Sequence, residues 1–234
     1  MTLETIILSN IPFQVNREHL ADFLHLSETG EDWERMIQLV EEAERVGRPQ
    51  ALYGTVYIDE KNDGEVVIEG IHFTSRVLRV NVDSIHKVFP FVATCGQELD
   101  EWSRSFPDLL DAYWLDMIKE MILREALVYL ENHLHQHLFP GKTSTMNPGS
   151  LPDWPITEQK KLFELMGNST TQIGVGLTES CLMIPIKSVS GIIFPTESRF
   201  ENCQLCPRQN CPGRRAPYEK ELSIQKFHLH QSTP

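Results

Sequence analysis

From residue 107 to about 138 the chain places Trp114, Met117, Ile118, Met121, Ile122 and Ala126, with Tyr113, Leu127 and Leu130, at helical spacing. A helix this long with so broad an apolar face must be covered along much of its length. The rest of the fold has to supply that cover, and strand-like segments precede and follow it. Residues 52–58 read as a strand, Asn62-Asp63-Gly64 as a turn and 65–71 as the returning strand. Residues 76–82 put Leu78, Val80 and Val82 on one face of a further half-buried strand. Residues 89–94 are a continuous apolar run ended by Cys95-Gly96, the pattern of a buried strand. A second helix is expected through Trp33, Met36, Ile37, Val40 and Ala43 to Val46, with Asp32 as N-cap and Gly47 and Pro49 as its stop. The first dozen residues suit a short strand or a helix start. Residues 157–166 read as a helix, 172–177 and 188–194 as strands, and 182–185 as a short extended piece. Helices combined with hairpin-type strand connections predict an α+β domain around an antiparallel sheet.

Between these parts lies Met146-Asn147-Pro148-Gly149-Ser150-Leu151-Pro152-Asp153-Trp154-Pro155. The prolines fix their own φ and push the preceding residues to extended conformations, and Gly149 admits positive φ or a close backbone approach. Such a stretch is a rigid loop. Its amides, Asn147 and Ser150 suit it to holding a polar ligand, against the plainer reading of a structural turn.

The net charge is −12, which argues against general nucleic-acid binding. It is uneven: residues 207–234 carry five cations against two acids, and the other 206 residues hold −15. No apolar run is long enough to span a bilayer and no basic-then-apolar leader opens the chain, so neither nucleic acid nor membrane is an expected partner and the location is read as cytoplasmic. Five cysteines are present, three of them in Cys203-x2-Cys206-x4-Cys211. A Cys-x2-Cys turn can bring two thiolates to one ion and a nearby third can close on it, so zinc or an iron–sulfur cluster is expected in preference to unligated thiols. Pro207, Pro212 and Gly213 suit tight turns there, and Cys95, Cys181 or an imidazole are candidates for a fourth ligand. His133 and His137 share a helix face at i and i+4 but have no acidic partner between them. An exposed helix end is the preferred reading for them, and His228 and His230 carry less weight.

The loop and its sequel resemble the activation (reactivation) domain of cobalamin-dependent methionine synthase. Pro148-Gly149, Thr157-Glu158-Gln159, Leu162-Phe163, Leu177-Thr178-Glu179-Ser180, Met183, Pro185 and Ser188-Val189-Ser190-Gly191 carry the likeness in order and spacing. The resemblance implies a C-shaped α+β domain with a central antiparallel sheet flanked by helices over 1–199; beyond it the residues read as an added cysteine cluster at 200–218 and a mobile tail at 219–234. It implies S-adenosylmethionine in a shallow groove, a corrinoid presented by a partner, and a separate subunit acting in trans. That partner would be a corrinoid-binding protein or a methionine synthase lacking its own activation domain, served by an electron donor. On this reading the chain is an accessory component of methyltransferase activity, supporting reductive methylation of the corrinoid, with no catalytic residue assigned. Asn147, Pro148, Gly149, Ser150, Glu179 and Lys187 are the candidate cofactor-binding residues, and Cys203, Cys206 and Cys211 the metal ligands. The alternative is a non-catalytic corrinoid-protein-binding subunit with a structural zinc or iron–sulfur centre and no S-adenosylmethionine.

One departure separates these two. The family motif reads Arg-x-x-x-Gly-Tyr; aligned on Gly149, this chain has Thr145 and Ser150 at the arginine and tyrosine positions. Threonine cannot grip a carboxylate bidentately as arginine does, a loss of about 1.5–3 kcal/mol. Either another cation compensates, with Lys142 and Lys187 as candidates, or the ligand differs.

Overall fold

In the computed structural model the described residues are 3–197, 199–211 and 214–227. They run β1 (Thr5–Leu8), α1 (Arg17–Leu24), α2 (Glu31–Val46), β2 (Gln50–Gly54), β3 (Val56–Asn62), β4 (Glu65–Ile68), β5 (Ile71–Thr74) and α3 (Arg76–Asn81). Then come β6 (Lys87–Thr94), α4 (Gln97–Ser103), α5 (Leu109–His137), β7 (Thr143–Met146), a 3-10 turn (Ile156–Glu158) leading into α6 (Gln159–Met166), and α7 (Ser169–Gln172). The chain closes with β8 (Gly176–Leu177), β9 (Met183–Ile184), β10 (Ser188–Pro195), a second 3-10 turn (Asn202–Leu205) and α8 (Lys220–Gln225). The architecture is α+β, as expected.

The apolar run at 89–94 is the centre of an eight-stranded antiparallel sheet. Along one edge β6 pairs with β10, Ser188 opposite Thr94 and Ile193 opposite Phe89. Along the other it pairs first with β2 and then with β3. Beyond β3 the sheet continues through β4 and β5, beyond β2 it ends at β1, and β7 adds to the outer side of β10.

Side-chain alternation assigns the two faces. Phe89, Phe91 and Ala93 of β6, with Tyr53 and Ile193, face a core built with α1, α2 and α5. Val88, Ile192 and Phe194 face the opposite core, which holds Met146, Trp154 and Leu162. Leu52 and Val92 pack on that side against Met166, Ile173 and Val175. With both faces covered, a continuous apolar run rather than an alternating one is what β6 requires.

The long helix is bounded by Asp108, whose carboxylate accepts the amides of Leu110 and Asp111 at 2.9 and 3.0 Å, an N-cap of the usual kind. Trp114, Ile118, Ile122, Ala126 and Leu130 are all buried. Two ion pairs fasten its first half. Asp111 meets Arg35 of α2, and the almost fully buried Asp100 of α4 takes Lys119 at 3.1 Å. Lys119 also donates to Ser103, so the buried charge is both paired and hydrogen-bonded, as burial demands.

Five expectations are corrected. Residues 76–82 form a helix, because Ser75 caps it by accepting from Leu78 and the Asp153 carboxylate accepts the Val77 amide. The strand expected over 52–58 is divided at Thr55, where pairing with β6 passes from β2 to β3, and the return strand stops at Ile68 before a turn at Glu69-Gly70. Asp32 lies in the first turn of α2, not at its cap, which is Gly30. Of 172–177 only Gly176–Leu177 is strand, since α7 runs to Gln172 and a turn follows it.

Candidate functional site

The signature loop leaves β7 at Met146 and returns to α6 over a buried underside. Trp154 is fully buried and Leu151 nearly so, and a bridge pairs these two residues. The loop is stitched outward at two points. Asp153 accepts from Ser75 Oγ at 2.6 Å and from the Val77 amide at 2.9 Å, and Glu158 accepts the Thr74 amide at 2.9 Å. Gly149 has φ +85°, and a Cβ there would sit 2.8 Å from Ile156 Cδ1. Glycine is therefore required twice over.

The amides of Gly149 and Ser150 are not free for a ligand. Gly149 donates to the Trp154 carbonyl at 2.7 Å and Ser150 to the Asn147 carbonyl at 3.2 Å. Two polar side chains in the neighbouring wall stand out instead. A cleft of about 420 Å³ is lined by Asn147, Pro148, Gly149, Ser150, Ile156, Gln159, Met183, Val189 and Ser190. Gln159 is 2 % exposed and Ser190 3 % exposed. Gln159 Nε2 and Ser190 Oγ are buried without any hydrogen-bond partner among the described residues. Buried polar atoms are nearly always satisfied, so two orphans in the wall of one cleft single it out as the candidate site.

β10 approaches the loop closely enough to build this wall because residue 191 is glycine. A Cβ at Gly191 would strike the Met146 carbonyl oxygen and lie 2.6 Å from Asn147 Nδ2. Without it, Asn147 Nδ2 donates to the Ser190 carbonyl at 2.9 Å. The Ser-Val-Ser-Gly signature is thus part packing device and part cleft wall.

Four of the six expected cofactor-binding residues, Asn147 to Ser150, lie together on this cleft. The other two do not join them. Glu179 is exposed in the turn between β8 and β9. Lys187 Nζ sits 2.9 Å from Asp116 and 3.6 Å from Glu120, on the α5 side. Lys142 lines a separate cleft with Glu131, His135 and Arg199. The sequence offers Gln159 and Ser190 as parts of the motifs that carry the likeness, not as ligand contacts. A glutamine opening a helix and a serine in a strand look ordinary until their surroundings are known.

The cysteine stretch begins at the 3-10 turn Asn202–Leu205. All three thiols are free and partly exposed. The Cys206 amide donates to the Cys203 carbonyl at 3.3 Å, making a Cys-x2-Cys turn. Cys203 Sγ accepts the Arg215 amide at 3.4 Å. The Arg214 guanidinium donates to the carbonyls of Cys203, Cys206, Arg208 and Ala216, buckling the loop. Among the described residues no group of three or more Cys, His, Asp or Glu side chains converges as a metal site. The turn and its N–H···S bond suit a thiophilic ion at Cys203 and Cys206, whereas Cys211 does not stand with them as a ready third ligand. Pro212, Gly213, His228 and His230 lie outside the described residues. Cys95 is wholly buried, and burial pushes its thiol up to about 12; Cys181 is buried beside the β8–β9 turn.

The histidines of α5 have local partners. His133 Nε2 is 3.1 Å from Tyr53 Oη, its ring centroid is 4.4 Å from that of His137, and His135 Nε2 is 3.0 Å from Thr143 Oγ1. Burial, with a smaller contribution from His137, lowers the His133 pKa. No helix among the described residues is long and apolar enough to cross a membrane.

No curated protein matches the chain. Residues 125–211 match the family described as vitamin B12 dependent methionine synthase, activation domain, a span that takes in the loop, the cleft and all three clustered cysteines. The fold is similar to that in a crystal structure of the MetH reactivation domain bound to AdoHcy, with a TM-score of 0.60 and 17% identity over 86% of this chain and 81% of that one. What the chain is similar to is thus an activation domain, by sequence over its C-terminal part and by fold over most of its length.

Proposed function

We propose that this protein is a reactivation module for a cobalamin-dependent methionine synthase or a related corrinoid methyltransferase, with the 420 Å³ cleft as its S-adenosylmethionine site. The observation that carries the reading is the pair of buried, unpartnered atoms, Gln159 Nε2 and Ser190 Oγ, on the cleft of the signature loop. An amide donor and a hydroxyl, which both donates and accepts, suit a ligand rich in hydroxyl and ring-nitrogen groups. Gly149 lets the loop fold over Ile156, and Ile156 and Met183 offer the apolar surface such a ligand also needs. When bound, S-adenosylmethionine supplies the methyl group that, with one electron, turns a Co(II) corrinoid into methylcobalamin and leaves S-adenosylhomocysteine. The residues of this chain bind and orient it; the corrinoid comes on a partner protein and the electron from a separate donor.

The proposal includes metal at the cysteine stretch, zinc or an iron–sulfur cluster, held by Cys203 and Cys206 with Cys211 as the further thiolate. Its support is the Cys-x2-Cys turn and the Arg215 amide on Cys203 Sγ. Metal and sulfide analysis after anaerobic purification tests this part alone.

The main test mixes the protein with a Co(II) corrinoid protein, a low-potential reductant and S-adenosylmethionine. The expected result is methylcobalamin absorbance rising above a protein-free control, and a smaller rise with Ser190→Ala. Equal traces with and without the protein would end the proposal.

A further inference from the structure

A second cleft, of about 360 Å³, adjoins the first and shares Asn147 and Val189 with it. Its character is different. Phe91, Leu127 and Ile193 give it an apolar floor, while Arg124, Arg199 and Arg215 line it against one carboxylate, Glu131. Counting Glu120 and Glu201, which pair with these arginines, the charges at the lobe balance, a local departure from the chain's net charge of −12. The three guanidiniums come from separate parts of the chain: α5, the segment after β10, and the cysteine stretch.

Their existing contacts fix them without using them up. Arg124 Nε meets Glu120 at 3.2 Å, Arg199 Nε meets one oxygen of Glu201 at 2.9 Å, and Arg215 Nε meets the other at 3.1 Å. Glu201 therefore sets the spacing of Arg199 and Arg215. The closest approach in each pair is made by Nε, and no hydrogen bond from the terminal nitrogens of these three arginines is found among the described residues. Thr145 lines the same lobe, and its short side chain leaves open the room that a long cation at that position would fill. Of the lysines considered from the sequence, Lys187 is held by Asp116 and Glu120, and Lys142 lines a neighbouring cleft that shares Glu131 and Arg199 with this one.

We infer that the Arg124–Arg199–Arg215 lobe binds the carboxylate of the ligand whose remaining polar groups meet Gln159 and Ser190. The inference rests on the ligand reading made above and assigns it an anion subsite. Guanidinium donors match a carboxylate bidentately. Arg215 ties this subsite to the cysteine stretch, since its own amide lies on Cys203 Sγ.

Titration calorimetry with S-adenosylhomocysteine and its carboxyl methyl ester tests the assignment. The ester replaces the carboxylate's charged oxygen with a methoxy group and leaves every other group the same. The wild-type protein should prefer the acid by about tenfold or more. Arg124→Gln, Arg199→Gln and Arg215→Gln should each shrink that preference, and the triple variant should abolish it, with affinity for the ester unchanged. The ester doubles as the folding control. If both ligands bind and the preference survives in the variants, the subsite is overturned and the cleft reading stands. Should neither ligand bind the wild-type protein, the cleft reading falls and the subsite with it.

Discussion

Two loops of similar length in the same half of the molecule are held by different physics. The signature loop sends Leu151 and Trp154 into the core beneath it and ties Asp153, Glu158 and Asn147 to β5, α3 and β10. The cysteine stretch is anchored at its start by Phe200 and Leu205, but its turns are gathered largely by one side chain, that of Arg214, on four carbonyls of the stretch itself. The first loop is fixed by the whole fold, which a preorganised ligand cleft needs. The second is fixed mainly by itself, so it can rearrange without unfolding the domain.

The largest expected effect breaks the first loop. Trp154→Ala removes a fully buried indole and should cost about 3–5 kcal/mol, read as a lower urea midpoint at unchanged slope. Its counterpart, Arg214→Ala, should move that midpoint by less than about 1 kcal/mol, in line with a partly exposed site. It should nevertheless speed the reaction of Cys203, Cys206 and Cys211 with a thiol reagent severalfold. Equal destabilisation by the two variants would erase the contrast.

Gly191→Ala comes next. The added methyl meets the Met146 carbonyl and Asn147, so about 1–3 kcal/mol of overpacking is expected, together with weaker ligand binding as the cleft wall shifts. A denaturant series and ligand titration on the same sample separate the two effects.

Ser190→Ala sharpens the comparison at smaller magnitude. The Oγ has no partner, so its removal should leave stability unchanged or raise it by up to about 1 kcal/mol, while ligand affinity falls by about 0.5–1.5 kcal/mol. A plain loss of stability would show that the hydroxyl is structural.

The smallest effect is a pH dependence at the far end of α5. The folded protein holds His133 below its ordinary value of 6.5, through burial and then the neighbouring His137. The unfolded chain therefore takes up the proton first. This contribution is whole above about pH 6.5 and is lost as pH falls through the lower folded value. Urea midpoints at about pH 7.5 and pH 5.5 should differ less in His133→Gln than in the wild type.

Much of the fold was legible because local pattern and tertiary environment agree. The run at 89–94 is apolar throughout because β6 is covered on both faces, and the 107–138 segment reads as buried because α5 lies on the sheet. The hairpin at Asn62-Asp63-Gly64 likewise stands where its turn residues place it. The failures are places where a distant group overruled a local preference. Residues 76–82 carry β-branched alternation, yet Asp153, 76 residues on from Val77, accepts that amide and helps set a helix start. The split at Thr55 follows from which strands border β6, a fact no window of sequence contains.

The site divides the same way. Proline and glycine alone determined that 146–155 is a rigid loop and that Gly149 is needed in it, since these are restrictions on the backbone of each residue. The sequence also determined the contrast with the family motif at Thr145 and Ser150. Tertiary structure decided which atoms are available to a ligand. It consumed the amides of Gly149 and Ser150 in internal hydrogen bonds and left Gln159 Nε2 and Ser190 Oγ without partners. It also gathered Arg124, Arg199 and Arg215 around Thr145 from three segments. Conformational restriction is a local property and can be read along the chain; hydrogen-bond satisfaction and charge clustering are sums over neighbours that only folding brings together.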